Sequence, residues 1–322
     1  MLVNTRVVRI ALDREEAKLA RALALNCADE YLAADSPEFL AEVNVIAHEL
    51  PVAPRRAVNR ARLDDGKHAV LVTGNIVRDD LLNDTPAHWR APQSEEARLS
   101  GFTLMLWAAL LGDAIAWTTQ QEGRILTDVL PVAGHEQTTV SSSSRKELSW
   151  HTEDAFSPYR ADYVGLYCLR NPDRTPTTLA AADPLALPGW ACEALTQSRF
   201  LTRPDDAHDQ DVTRPETGPV LTGPADAAVL RIDRDCTAAV PGDEEARAAL
   251  ELIFGQLDAN LYDFALAPGD VIFVDNRNVV HGRRPFRARY DGRDRWLRRV
   301  NVAADLRRTR PGRRSDDDRR IG

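Results

Sequence analysis

Ser149-Trp150-His151-Thr152-Glu153-Asp154-Ala155-Phe156 is the stretch on which the reading of this chain turns. It is answered far downstream by Asp275-Asn276-Arg277-Asn278-Val279-Val280-His281-Gly282. Side chains alternate with period two along a strand, so His-x-Glu puts an imidazole and a carboxylate on one face. A second imidazole arriving from a distant strand completes a set of two His and one carboxylate. That set suits non-haem Fe(II), because it occupies one face of an octahedron and leaves the opposite face open for cosubstrate and oxygen. His-x-Glu alone is a weak signal. His281 and the arginines that follow it give it weight.

The bland alternative for His151 and Glu153 is a half-exposed strand with a polar outer face. A zinc hydrolase is a second rival, since zinc accepts the same ligand types. It lacks a His-Glu-x-x-His helix and a general base placed by motif. His48, His68, His88, His135 and His208 have no ligand partner at short spacing and read as ordinary histidines. The deciding segment is Arg293-Asp294-Arg295-Trp296-Leu297-Arg298-Arg299, with Val300-Asn301-Val302 behind it. A solvated charge run does not need Trp and Leu. Arg295, Leu297 and Arg299 share one strand face, and a buried arginine needs an anionic partner. The planar guanidinium binds carboxylates in a bidentate way. Two such arginines near an iron imply two carboxylates, one on a cosubstrate and one on a substrate.

The bulk numbers exclude several classes. With 322 residues, 43% of them hydrophobic, the chain can bury a sizeable core. The formal charge of -8 and a pI near 5.5 give no basic field to attract nucleic acid. Cys27, Cys168, Cys192 and Cys236 are scattered, with no C-x-x-C pair, and read as reduced thiols. No signal peptide is expected at Met1–Arg6 and no stretch is apolar enough to span a bilayer, so a cytoplasmic location is expected. Oligomeric state is not legible.

Taken in order, Val7–Ile10 reads as a short strand and Asp13 with Glu16 as a capping box opening a helix. Leu19, Leu23, Cys27 and Tyr31 recur every four residues and are expected to form its apolar stripe. Residues 68–74 read as a strand, 84–95 as a loop, and Glu95 to Trp117 as one long buried helix. Residues 124–131 suggest another strand. The Ser141–Ser144 run reads as a loop that either flexes or lines the pocket. Residues 162–170 read as a strand and 203–219 as a long loop of the kind that covers an active site. Residues 264–275 are a turn feeding an apolar strand that delivers His281. Many short strands with helices mainly on the N-terminal side favour a mainly β fold with flanking helices (α+β), built on a jelly-roll core. One domain is expected over residues 1–306, with 307–322 as a basic, solvated and poorly ordered tail.

The chain resembles the clavaminate-synthase-like Fe(II)/2-oxoglutarate dioxygenases, and within them the free L-arginine oxygenases of peptide-antibiotic pathways such as viomycin and streptothricin biosynthesis. The resemblance runs from Val45-Ile46-Ala47-His48-Glu49-Leu50-Pro51 to Asn301. It is most specific in Val140–Arg160, in His281-Gly282-Arg283 and in Tyr290–Trp296. It implies a distorted double-stranded β-helix with His151, Glu153 and His281 as iron ligands. Arg295 would pair with the distal carboxylate of 2-oxoglutarate, helped by the Thr177 hydroxyl. Arg299 would bind the α-carboxylate of the amino acid, and Gln120 and Glu153 would receive its α-ammonium. Asp233 and Asp235 would flank the guanidinium, which two carboxylates on one strand face would suit. Three departures stand out. Thr139 replaces a leucine beside the substrate's aliphatic chain, Ala207 replaces a serine in an Asp-Asp-Ser-His run, and residues 203–223 are shorter than in the relatives.

The implied activity is hydroxylation of free L-arginine at C3 or C4, with Fe(II), 2-oxoglutarate and O2 consumed to give succinate and CO2. The departures bear on which carbon is attacked, so an arginine desaturase, or a hydroxylase of a related amino acid such as citrulline, is the alternative. A metal-free jelly-roll binding protein is the non-enzyme alternative. It has no use for His151, Glu153, His281 and Arg295 together.

Overall fold

The computed structural model describes residues 6–208 and 216–322. Four layers stack in the order helices, large sheet, small sheet, helices. The large sheet runs Val7–Ala11, Ala69–Thr73, Val271–Asp275, Tyr163–Arg170, Trp296–Ala303, Asp113–Trp117 and Arg320–Ile321, with Thr127–Val129 also on the Trp296–Ala303 strand. The small sheet runs Tyr262–Phe264, Thr177–Ala181, Val279–Arg283 and Leu148–His151, all antiparallel. The strands of the large sheet are apolar on both faces because both faces are covered. Tyr167, Leu169, Phe273, Val300 and Val302 face Phe39, Phe102 and Trp107 on the first helical layer. The alternate residues Leu166, Cys168, Ile272, Val274 and Leu297 face Leu179 and Val279 of the small sheet. On the far side of the small sheet, Trp150, Ala180 and Val280 pack on the helices Gly189–Leu195 and Glu244–Asn260.

This alternation places the site. Trp150 and Val280 point to the outer helices, so their neighbours His151 and His281 point inward, where the register sets them directly opposite each other. Trp296, Val300 and Val302 point to the first helical layer, so Arg295, Leu297 and Arg299 point inward from the other sheet. The two sets meet between the sheets.

Several expectations change. The capping box is present: Asp13 accepts from the backbone of Glu15 and Glu16, and Glu16 reaches back to Asp13 N. The stripe above it is different, because Leu19 is 60% exposed and the buried face is Ala17, Ala20, Leu23, Ala24 and Cys27. A step of four residues overshoots one turn by about 40°, so a strict i, i+4 series walks off the buried face. The long helix stops at Ala108, and Asp113–Trp117 is a strand of the large sheet. An all-round apolar segment buried in a helix looks the same in sequence as one buried in a sheet. The chain turns between them at Gly112, where a Cβ would run into the carbonyl of Ala303. The apolar strand Val271–Asp275 belongs to the large sheet and does not carry His281, which sits on Val279–Arg283 in the small sheet.

The C-terminal segment is anchored at Thr309, Arg313 and Ile321, which are buried, so it is not the poorly ordered tail expected, although Arg307, Arg310 and residues 314–317 are exposed. Arg320–Ile321 pairs in parallel with Asp113–Trp117, and Ile321, 1% exposed, joins Ile115, Trp117 and Ala161. Arg319 bonds Asp113 and Arg313 bonds the carbonyls of Asp316 and Asp318. Charge pattern conceals this, since many of the partners are backbone carbonyls and two distant aspartates, Asp113 and Asp162. Of the 203–219 loop, residues 209–215 lie outside the described residues, and Thr217–Gly218 is a short strand paired with Phe200–Thr202.

Candidate metal centre and substrate site

His151 ends the strand Leu148–His151, and Glu153 sits in the turn that follows, so the two are not on one continuous strand as the spacing suggested. The turn brings them together regardless. Glu153 Oε2 lies 3.5 Å from His151 Nε2 and 3.3 Å from His281 Nε2, and the imidazole centroids are 4.7 Å apart. Ligands at about 2.1 Å from one metal ion sit about 3 Å apart when cis, so the donor set fits with little adjustment. His151 Nδ1 donates to Ser149 O at 2.9 Å, which leaves Nε2 as the ligating nitrogen. Burial keeps His281 below its ordinary pKa, hence neutral and ready to ligate. Burial alone would raise the Glu153 carboxyl, but the Arg299 guanidinium and the two imidazoles outweigh it and hold it well below the carboxylate range.

Asn276 holds the turn. Its Oδ1 accepts from Glu153 N at 2.7 Å, and its Nδ2 donates to Glu153 O at 3.1 Å and Ala161 O at 2.8 Å. Asp154, next in line, adopts a positive φ of 54°. On the other side of the metal position, Gly282 lets the His281 strand approach its neighbour: a Cβ there would lie 2.5 Å from Leu148 O.

Arg295 faces the same cavity as the triad, together with Thr177, Arg283 and Arg299. It is 6% exposed and has one long hydrogen bond, from Nη2 to Thr177 Oγ1 at 3.4 Å, while its Nε has no partner. Burial pulls its pKa down to about 10. A guanidinium held in the interior without a carboxylate is a receptor for one. Arg299 donates from each of its three nitrogens, to Glu153 Oε1 at 2.6 Å, Gln120 Oε1 at 2.9 Å and Thr127 Oγ1 at 3.2 Å, which uses three of its five N–H groups. These residues fit Fe(II) held by three side chains with an anionic cosubstrate beside it.

Three comparisons bear on this geometry. The family described as taurine catabolism dioxygenase TauD, TfdA matches residues 219–301. The enduracididine beta-hydroxylase of Streptomyces hygroscopicus is 39% identical, over 95% of this chain and 97% of its own. The L-ornithine/L-arginine 3-hydroxylase of Catenulispora acidiphila is 35% identical, over 97% and 99%. The crystal structure of the non-haem iron oxygenase OrfP with Fe, succinate and (3S)-hydroxy-L-Arg superposes with a TM-score of 0.92 at 34% identity, covering 98% of this chain and 99% of that one. The chain belongs to the clavaminate-synthase-like iron and 2-oxoglutarate oxygenases.

In this oxygenase the residues expected around the substrate divide between two adjoining spaces. Gln120, Glu153, Arg299 and Thr139 line the inner cavity with the triad. Asp233 and Asp235 line a neighbouring chamber of about 330 Å³, which shares Thr139, Leu148, His151 and Asp205 with the first. They lie on a turn rather than on one strand face. Asp233 makes an isolated bridge to His151, and its Oδ1 accepts from the backbone of Asp235 and Cys236. An aspartate that bonds its own backbone two and three residues on makes a turn, and that preference won over the alternation read from sequence.

Five neighbours escaped the sequence reading: Asn276, Arg283, Asp205, Asp206 and His208. Asn276 stood in the quoted segment, but nothing in its spacing marks a turn anchor. Arg283, buried, donates to Ser143 Oγ at 2.8 Å and Ser144 O at 3.3 Å, which pins the serine run against the cavity wall. Ser141 of that run lines the cavity. Asp205 lines both spaces, and burial raises its pKa. Thr139 Oγ1 donates to Asp206 Oδ2. His208, read as ordinary, is buried and hydrogen-bonded to Asp154. Its signal, a histidine inside a loop rich in aspartate, has no period to find it by.

Proposed function

We propose that this chain is an Fe(II)- and 2-oxoglutarate-dependent oxygenase that hydroxylates free L-arginine, or a close guanidino amino acid, at C3 or C4. The observation that carries the reading is the unpaired, buried Arg295 facing His151, Glu153 and His281 across one cavity. His151, Glu153 and His281 would hold the iron. Arg295 and Thr177 would pair with the distal carboxylate of 2-oxoglutarate. Arg299, Gln120 and Glu153, already joined by hydrogen bonds, offer donors to a carboxylate and acceptors to an ammonium. Asp233 and Asp235, with Asp205 at the boundary, would face the guanidinium. When bound, iron with 2-oxoglutarate and O2 supplies the oxidation: one oxygen atom goes to the amino acid and the other to succinate, with release of CO2. The chain supplies position, and a displacement of about 1 Å can change the rate ~100-fold.

Two matters of form belong to the same reading. The facing sheets are a distorted double-stranded β-helix, a jelly roll, carrying one oxygenase domain with the anchored C-terminal segment as part of it. No helix among the described residues is long and apolar enough to cross a membrane, and the four cysteines are free. A small-molecule substrate in the cytoplasm, with no nucleic-acid partner, fits these features and the acidic charge.

The test is mass spectrometry of L-arginine incubated with the enzyme, Fe(II), 2-oxoglutarate and air. A product heavier by one oxygen supports the proposal. A product lighter by two hydrogens makes the enzyme a desaturase. Unchanged arginine, with succinate formed on another amino acid, refutes the assignment of Asp233 and Asp235.

A further inference from the structure

His208 follows Asp205 and Ala207, which line the wall of the cavity. Its side chain is 1% exposed. Nε2 donates to Asp154 Oδ1 at 3.0 Å, and Nδ1 pairs with the Thr119 hydroxyl at 2.8 Å. The ring stands edge-on to Trp117 and Phe156, with centroids 5.7 and 4.8 Å away. Asp154 is fixed from its other side by Trp117 Nε1 at 2.7 Å. Thr119 precedes Gln120, and Asp154 follows Glu153. Both hydrogen bonds of His208 therefore end on the immediate neighbours of Glu153 and Gln120, two of the three residues that hold Arg299. Within the segment, His208 N donates to Asp205 O and Ala207 N to Asp205 Oδ1 at 3.0 Å, so the ring's seat sets where the Asp205 carboxylate points.

We propose that His208 is a positioning residue: its buried ring docks the Asp205 segment onto the turn that carries Glu153 and the turn after Asp113–Trp117 that carries Gln120, and so completes the substrate side of the cavity. The proposal rests on the function proposed above only in naming arginine as the ligand. Loss of the ring should free the segment and weaken amino-acid binding while leaving the metal and the cosubstrate in place. A ring that serves stability alone would lower the melting temperature and change neither.

The experiment uses the full chain under anaerobic conditions with Fe(II) and 2-oxoglutarate, comparing wild type with His208→Ala, His208→Phe and His208→Gln. Three quantities are read: hydrogen exchange in peptides covering 203–208, the Kd of L-arginine by calorimetry, and the Kd of 2-oxoglutarate from the visible band of its iron complex. His208→Phe keeps the ring contacts and removes both hydrogen bonds, whereas His208→Gln can still donate to Asp154. The expected result is faster exchange and an arginine Kd at least tenfold higher in the Ala and Phe variants. The 2-oxoglutarate Kd should stay within twofold, and Gln should recover most of the loss. An unchanged arginine Kd in Ala and Phe, or weaker binding without faster exchange, overturns the proposal. Should wild type bind no arginine, the substrate assignment fails, and the exchange rates still decide whether His208 holds the segment.

Discussion

Arg295→Met should make the metal-free protein more stable and nearly abolish its hold on 2-oxoglutarate. Methionine roughly matches the length of the arginine stem, so the apolar part of its packing is largely kept. What disappears is a buried cation with one stretched hydrogen bond, 3.4 Å to Thr177, and no carboxylate. Burial lowers its pKa to about 10, some two to three powers of ten in proton affinity, which corresponds to about 3 kcal/mol against the charged form. Subtracting about 1 kcal/mol for the Thr177 contact leaves a net gain of roughly 2 kcal/mol, a few degrees in Tm. The sign reverses once the anion is present: breaking a buried ion pair costs about 3–5 kcal/mol, a loss of ~100-fold or more in affinity. Thermal unfolding of the apoprotein reads the first effect, and anaerobic titration of the visible iron–2-oxoglutarate band reads the second. A variant that melts several degrees lower and binds 2-oxoglutarate normally would mean Arg295 is a structural cation, and the reasoning would fail.

Three other perturbations follow from the geometry. Asn276→Ala strands three buried backbone groups, so it should cost about 3 kcal/mol or more and weaken Fe(II) binding ~10–100-fold; denaturant unfolding and metal titration check it. Asp233→Asn should lower arginine turnover more than tenfold and narrow the preference for arginine over neutral citrulline. Retained arginine turnover with no gain for citrulline counts against the guanidinium assignment. His68 is buried between Arg6 and Tyr262, and burial, then the Arg6 charge, bring its pKa down to about 4. The unfolded chain then binds the extra proton first, so stability should be full above pH 6.5 and fall by up to about 3 kcal/mol as pH drops through 4. His68→Gln should flatten that slope in melting curves taken between pH 4 and 6.5, and an unchanged slope would show that other groups set it.

The strand Trp296–Ala303 explains why the arginine cluster was readable. Leu297 and Arg299, with Arg295 just before the strand, face the cavity, whereas Trp296 and Arg298 face the other way, toward Asp128 and the carbonyl of Ala97. Both faces are buried, so every guanidinium needed a partner and the Trp and Leu content betrayed the burial. The fused helix 95–117 was misread for the converse reason: apolar content reports burial and is blind to which element does the burying. The Leu19 stripe failed separately, because a strict i, i+4 series walks off the buried face.

The sequence alone carried the ligand types, their order and the chemistry they suit, because His-x-Glu, a distant His and a buried arginine strand are constrained by valence and charge rather than by packing. It also carried a mixed α and β architecture, since short apolar runs and capped helices are local properties. Only the tertiary structure decided how those parts meet. Register sets His281 opposite His151, Asn276 folds Glu153 back from its turn, and the second sheet brings Arg295 across the cavity. Asp205 and His208 reach the site through long-range hydrogen bonds that leave no period in the chain. Arg320–Ile321 dock because the edge of Asp113–Trp117 was open to them, an opening created by the fold and absent from any local pattern.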